Sequence, residues 1–222
     1  MLQDALLIAG KDLRLELRSR VALNQVLPFA LLVLVLFAFA LDPDRGVLAQ
    51  ATPGLYWIAV LFSALLALQR SFAIEAADGN RDALRLSGLD PAGIFLGKVL
   101  AVSVQLIVLE VLLGIGVAVL YTTRIEGWGL LVVSSVIATA SIAAAGTLFG
   151  VLAAGLRVRE TLLPLLLLPV LAPVLIGSTR AFEAALAGSP SEGWPWVGLM
   201  SIFASLYVVA GVLGFGPLLE ES

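Results

Sequence analysis

The chain of 222 residues contains no cysteine and no histidine, and charged residues make up only 13% of it. Without cysteine it forms neither disulfides nor thiolate metal sites. Without histidine it lacks the commonest metal and haem ligand and the usual general base. Soluble domains carry about 25% charged residues. The scarcity of charge, together with 60% apolar residues, therefore excludes an ordinary soluble domain.

The apolar residues are gathered into six long runs. A run of about 18 or more apolar residues predicts a transmembrane helix. The predicted spans cover roughly Val21–Leu41, Gly54–Leu68, Val99–Tyr121, Leu130–Leu156, Thr161–Gly177 and Trp196–Phe215. The second can continue past Arg70 if that arginine snorkels to the interface. We therefore predict an all-α polytopic membrane protein, with residues 1–222 forming a single transmembrane domain.

The basic residues are distributed unequally between the two sides that six spans define. One side holds ten of them: Lys11, Arg14, Arg18, Arg20, Arg70, Arg81, Arg85, Lys98, Arg157 and Arg159. The other holds three: Arg45, Arg124 and Arg180. By the positive-inside rule, both termini and the 70–92 segment are predicted to be cytoplasmic. The alternative that the first run is a signal peptide, cleaved near Ala38–Ala40, is disfavoured by its length and its long upstream segment.

Residues 1–20 have the spacing of an amphipathic helix in the cytoplasmic interface. The apolar face carries Leu2, Leu6, Ala9, Leu13 and Leu17, and the opposite face carries Asp4, Lys11, Arg14 and Arg18. Leu7, Ile8 and Leu15 interrupt the polar face. They indicate either cover by a partner protein or, as we favour, imperfect amphipathicity at a lipid surface.

The 70–92 segment is the main charged stretch between spans. Gly79 is suited to end one helix, Asn80 to cap a short helix over Arg81–Leu86, and Asp90-Pro91 to start the third span. The short helix combines apolar and charged side chains, namely Ala83, Leu84 and Leu86 with Arg81, Asp82 and Arg85. Such a segment can dock in a groove of a cytoplasmic protein. On composition alone, an ordinary solvated loop is equally favoured.

Glu110 is the ionisable residue that stands deepest within a predicted span. A carboxyl group at that depth is costly, which makes it a candidate for function. Hydroxyl or amide partners are available at Ser103, Gln105, Ser134, Ser135, Thr139 and Ser141. We favour a hydrogen-bonded role between helices over a role in transport.

The last three spans carry packing and backbone signals. Gly146 and Gly150 have the small-xxx-small spacing of close helix contacts, within one subunit or across a dimer. Pro164, Pro169 and Pro173 predict a kinked or interrupted fifth span that lines a path or is simply tolerated. Residues 178–195 are predicted to form a periplasmic loop with a short helix over Arg180–Leu186. Trp194 and Trp196 follow at the membrane edge.

No nucleotide-binding pattern is present. A phosphate-binding loop needs glycine, four residues and then Gly-Lys-Ser/Thr, which Gly93, Gly97 and Lys98 do not satisfy. Asp78, Gly79 and Arg81 resemble a fragment of a phospholipid-transferase motif, but the rest of that motif is missing. The sequence therefore predicts a non-catalytic membrane protein, in which any soluble chemistry must come from a partner.

Three stretches together resemble the CcmB family, the permease subunit of the cytochrome c maturation haem exporter. The first two are Gly54–Trp57 and Leu65–Phe72, the latter followed by Glu75, Asp78-Gly79, Leu84, Leu86 and Ser87. The third is the proline-spaced run Leu166–Gly177. The chain departs from related exporters at Asn80–Asp82 and at Gly88.

The resemblance implies a homodimeric permease of the ABC-2 type in the bacterial inner membrane. A separate cytoplasmic ATPase would bind ATP and dock on the loop between spans two and three. That loop would act as a coupling helix, so the implied coupling residues are Glu75, Asp78, Gly79, Arg81, Leu84, Arg85 and Leu86. A haem-handling membrane protein and a periplasmic haem chaperone would be further partners, and nucleic acid would not.

The same resemblance implies that haem is cargo rather than a resident cofactor. With no histidine, direct iron ligation by this chain is not expected. ATP hydrolysis would drive haem delivery or release of the haem-loaded chaperone. Two alternatives stay open: an ABC-2 permease for a lipid, glycan or drug, and a membrane scaffold that never couples to ATP.

Overall fold

The computed structural model describes residues 1–19, 24, 26–41, 46–76, 88–121, 126–154 and 159–221. Within these ranges the chain forms seven α-helices and no strand. The helices are α1 Leu2–Ser19, α2 Leu27–Ala40, α3 Val47–Ala76, α4 Pro91–Tyr121, α5 Trp128–Ala154, α6 Arg159–Leu186 and α7 Pro190–Glu221. The all-helical architecture predicted from the apolar runs is confirmed.

Five of the described helices are long and apolar enough to cross a membrane. They are α3 to α7, and each contains a candidate span of 25 to 29 residues. The first predicted span, Val21–Leu41, corresponds to α2, which has 14 residues. A spanning helix needs about 20 residues. Residues 20–23 and 25, at its predicted start, lie outside the described ranges.

α5 is the central helix of the bundle, since it packs against α3, α4, α6 and α7. Its small side chains allow this, because they let neighbouring backbones approach closely. Ala143, Ala144 and Ala145 are fully buried. A Cβ atom at Gly146 would lie 2.2 Å from a methyl of Leu68, on α3. The predicted small-xxx-small contact is therefore formed within one subunit.

α4 begins where the sequence predicted. Asp90 caps it, because the Ala92 amide donates a hydrogen bond of 3.1 Å to Asp90 Oδ1, and Pro91 occupies the first helical position. Proline suits that position because its missing N–H has no intrahelical partner there. α4 then runs for 31 residues, longer than a bilayer core requires.

The fifth predicted span is longer than expected. α6 is assigned as one helix through Pro164, Pro169, Pro173 and Gly177, so it is not interrupted. The helix predicted separately over Arg180–Leu186 is the end of α6. Gly177 lies against α7, where its Cβ would be 2.9 Å from Met200 Cγ. Tertiary packing therefore outweighs the helix-breaking tendency of glycine.

The connection between α6 and α7 is correspondingly short. Gly188 has a φ of +72°, which glycine adopts without a Cβ clash. The amides of Glu126 and Gly127 both donate to the Ala185 carbonyl, at 3.3 and 3.0 Å. These bonds fix the start of α5 beside the end of α6. The predicted loop over 178–195 is thus mostly helical.

Candidate functional site

The predicted coupling segment connects α3, which ends at Ala76, to α4, which begins at Pro91. Six of its predicted residues lie outside the described residues: Asp78, Gly79, Arg81, Leu84, Arg85 and Leu86. Glu75 belongs to α3, but its side chain also lies outside the described part. What the structure describes is the two helix ends that flank residues 77–87 and a helix that packs on α4 and forms an ion pair with α3.

That helix is α1. It lies against α4, where two glycines one helical turn apart leave no side chain between the backbones. A Cβ at Gly93 would be 2.8 Å from the Met1 carbonyl oxygen, and one at Gly97 would be 2.6 Å from the Ala5 carbonyl oxygen. The contact is therefore backbone to backbone, as at small-xxx-small interfaces.

Ion pairs fix the same interface. The side chain of Lys98, on α4, is only 2% exposed, and its Nζ lies 3.7 Å from Asp12 Oδ2, on α1. The same ammonium lies 5.1 Å from the ring centroid of Phe72, on α3, in cation–π geometry. Arg70 Nε lies 3.8 Å from Glu16 Oε2. α1 thus pairs with residues of both helices that flank the segment 77–87.

The sequence reasoning missed this arrangement. It treated Gly93, Gly97 and Lys98 only as a mismatched phosphate-binding loop. The signals were present, however, in the Gly-x-x-x-Gly spacing of α4 and in the Ala5 and Ala9 spacing of α1. Small residues at this spacing mark a helix contact as readily on an interfacial helix as within a span.

The orientation of α1 also differs from the expected one. Ala5, Ile8 and Ala9 are buried against the bundle, so Ile8 is covered by this chain itself. Ala9 was placed on the lipid-facing side with Leu2 and Leu6, which are exposed. An amphipathic period indicates a helix but does not identify which neighbour covers each face.

Glu110 forms a second polar cluster, between α4 and α5. The residue is 4% exposed, and Oε1 accepts a hydrogen bond from the Thr139 hydroxyl. Tyr56, on α3, donates a bond of 3.0 Å to the Glu110 carbonyl oxygen. Two other candidate partners bond elsewhere, since Ser134 donates to the Leu131 carbonyl and Ser141 to the Ile137 carbonyl. Of the predicted partners, Thr139 is confirmed, and Ser135 also forms a side-chain hydrogen bond with the Glu110 carboxyl group.

The proline-containing part of α6 is contacted by a polar side chain of α7. Tyr207, on α7, donates a hydrogen bond of 2.7 Å to the Val170 carbonyl, three residues before Pro173. A neighbouring helix thus supplies a donor near the point where proline removes one.

A cleft of about 510 Å³ opens between α3 and α6, nearer the end of α6. It is lined by Trp57, Ile176 and the ion pair of Arg180 with Glu183, whose Nη1 and Oε2 atoms lie 2.9 Å apart.

Within the described residues, no group of three or more carboxylates is arranged to hold a metal ion. The polar groups lie instead at helix contacts, where they hold an apolar bundle together. The fold and these contacts define a polytopic helical membrane protein.

Comparison with known proteins identifies its family. The CcmB protein family model matches residues 3–216. Heme exporter protein B of Haemophilus influenzae is 32% identical over 186 residues, covering 84% of this chain and 84% of the relative. The proteins of the same name from Pseudomonas aeruginosa and Rhodobacter capsulatus are 32% and 31% identical over 187 and 205 residues. These cover 84% and 92% of this chain, and 84% and 89% of the relatives. The chain belongs to the CcmB family.

Proposed function

We propose that the chain is the membrane permease subunit of an ABC-type complex for cytochrome c maturation. In this proposal a separate cytoplasmic ATPase hydrolyses ATP, and this subunit couples hydrolysis to haem delivery or to release of a haem-loaded periplasmic chaperone. The observation that carries the proposal is the family match over residues 3–216, with relatives named heme exporter protein B along most of the chain.

The proposed topology has six spans in the bacterial inner membrane and both termini in the cytoplasm. Five long apolar helices and the shorter apolar helix Leu27–Ala40 support the count. With this topology ten basic residues face the cytoplasm and three face the periplasm, as the positive-inside rule favours. A homodimer, joined by a haem-handling membrane protein, is the proposed assembly.

The proposed point of contact with the ATPase is the segment between α3 and α4. Leu84 and Leu86 would supply apolar contacts, while Glu75, Arg81 and Arg85 would set register through charge. Asp78 and Gly79 would end the helix before the turn. The chain itself contributes no catalytic residue in this proposal, and ATP is bound by the partner.

Co-purification with an ATPase tests the proposal. The detergent-solubilised chain is used to capture candidate ATPase subunits, as wild type and as Glu75→Lys and Leu84→Asp. Wild type is expected to retain the ATPase, and both variants are expected to lose it. Glu192→Lys, a charge reversal at an exposed residue near the start of α7, is the matched control and is expected to behave as wild type.

Haem staining of c-type cytochromes in cells carrying each variant completes the test. Loss of the ATPase together with loss of c-type cytochromes would support the segment as the coupling element. Capture of no ATPase by wild type would contradict the transporter assignment and favour a membrane scaffold. Capture of the ATPase without any dependence of c-type cytochromes would favour a permease for another substrate.

A further inference from the structure

We propose that α1 is a clamp that joins the two helices flanking residues 77–87, so that α1 and these helix ends move as one body. Gly97, Asp12 and Lys98 are its positioning residues. The inference rests on the proposed function, because it concerns how movement of the 77–87 segment reaches the rest of the bundle. It goes beyond that function by assigning a transmission role to α1.

The first contact of the clamp is with α4. At Gly97 a Cβ would lie 2.6 Å from the Ala5 carbonyl oxygen and 2.7 Å from Ile8 Cβ, so the helices touch through their backbones. Backbone atoms cannot rotate out of the way as the end of a flexible side chain can. Two helices packed this closely cannot slide easily past each other. Any shift that separates α1 from α4 loses van der Waals contacts sharply.

The second contact is electrostatic and reaches both helices. Lys98 is buried, so its ammonium depends on the contacts that the fold supplies, among them Asp12 Oδ2 at 3.7 Å. Phe72 of α3 presents its ring to the same ammonium, and Glu16 of α1 faces Arg70 of α3. A buried cation that loses its counter-ion bears a large desolvation cost.

A mechanical consequence follows from these contacts. Force applied to residues 77–87 would pull on the end of α3 and the start of α4, which are the ends that the segment connects. Because α1 is attached to both, separation of the two ends would break the contact of Lys98 with Phe72, together with either the Glu16 and Arg70 pair or the Asp12 and Lys98 pair. Movement of residues 77–87 is therefore expected to displace α1 and the two helix ends together.

The first experiment replaces Gly97 with leucine. Gly97→Leu places a side chain where Ala5 and Ile8 lie, and so forces α1 away from α4. Gly114→Leu is the matched control, because it lies on the same helix and a Cβ there meets nothing within 4 Å. Gly97→Leu is expected to retain the ATPase in co-purification but to lose haem staining of c-type cytochromes. Gly114→Leu is expected to retain both.

A reciprocal charge exchange separates positioning from simple destabilisation. Asp12 lies 3.1 Å from Lys11 as well as 3.7 Å from Lys98, so Asp12→Lys alone places three cations together and is expected to abolish c-type cytochrome staining. Asp12→Lys with Lys98→Asp restores opposite charges and is expected to recover staining at least in part. If Gly97→Leu does not accumulate as a monodisperse protein, the charge exchange tests whether the contact of α1 with α4 is needed for cytochrome c maturation. Failure of the double variant to exceed the single one would overturn the roles of Asp12 and Lys98.

The outcomes distinguish the clamp from the proposed function. If wild type captures no ATPase, the proposed function fails whatever the variants do. If wild type captures the ATPase and supports c-type cytochromes while Gly97→Leu matches Gly114→Leu, the clamp alone is wrong.

Discussion

At the scale of single residues, Glu110 is the buried carboxyl group that most needs an explanation. It lies between α4 and α5 with Thr139 as hydrogen-bond donor, while Tyr56 bonds to its backbone carbonyl. Polar contacts of this kind join helices in membranes, each contributing about 0.6 kcal/mol on average. The arrangement supports the role of Glu110 as a link between helices.

Substitutions at this pair test that role. Glu110→Gln keeps an oxygen that accepts from Thr139, so c-type cytochrome staining is expected to stay at the wild-type level. Thr139→Val removes the donor and is expected to lower stability by about 0.6 to 1.7 kcal/mol. Thermal unfolding in detergent measures the second effect. A Glu110→Gln variant that unfolds as wild type but abolishes staining would show that the ionisable group itself is required.

The sequence predicts this residue well and its partner only in part. A lone carboxyl group in an apolar run is conspicuous, because burial of a charge is costly. Several hydroxyl groups of the next span have similar spacing, and only the rotation of α5 selects Thr139 and Ser135. The hydroxyl groups of Ser134 and Ser141 donate hydrogen bonds to backbone carbonyls of their own helix, as serine commonly does in membrane helices.

At the scale of helices, the contact between α3 and α5 is governed by small residues. A Cβ at Gly150 would lie 2.0 Å from the Phe72 ring, and Phe72 also faces Lys98 of α4. The glycine therefore supports both the packing of α5 and the cation–π contact near the clamp. A side chain at this position would have to displace an aromatic ring.

Gly150→Leu is expected to destabilise the protein by about 1 to 3 kcal/mol, the usual cost of overpacking a filled core. Gly129→Leu, on the same helix, is the matched control because a Cβ there meets nothing within 4 Å. The change in melting temperature of each purified variant measures the difference. Equal melting temperatures for the two variants would contradict the close packing of α5 against α3.

The helices are more predictable than their faces and ends. Apolar runs identify α3 to α7, and the Asp90-Pro91 pair locates the start of α4 to the residue. The same signals place the end of α6 wrongly, because Gly177 is held in the helix by contact with Met200. α1 is predicted as a helix, but the side covered by α4 depends on glycines about 90 residues away in the chain.

At the scale of the whole molecule, the proposed topology places the clamp and the coupling segment on one side of the membrane. In that topology the contact of α1 with α4 and the flanking helix ends lie on the side that has the excess of basic residues. The turn between α6 and α7 lies on the opposite side in the proposed topology. A partner that hydrolyses ATP would therefore meet all of these elements from the cytoplasm.

Cysteine labelling tests this topology. Gln3→Cys and Ser191→Cys introduce single thiols at exposed residues of α1 and α7. In intact spheroplasts a membrane-impermeant maleimide is expected to label Ser191→Cys and not Gln3→Cys. Permeabilised cells, in which both thiols should react, provide the control. Labelling of both variants or of neither in intact spheroplasts would contradict an arrangement with the two residues on opposite sides.

The overall class of the protein follows from the sequence, because composition and apolar run length impose a helical membrane fold. The family also follows from scattered motifs that the comparison with relatives confirms. Neither signal predicts that α1 bridges α3 and α4. That contact joins Asp12 to Lys98 and Glu16 to Arg70, and such long-range pairs leave no period in the sequence.

Complementation of a bacterium that lacks its own permease subunit of the haem exporter tests the central claim most directly. The chain is expressed there together with its partner ATPase, and c-type cytochromes are quantified by haem staining. The account predicts that staining is restored by wild type and by Gly114→Leu, and not by Leu84→Asp. Absence of staining with the wild-type chain, despite its presence in the membrane and its capture of the ATPase, would contradict a role in cytochrome c maturation.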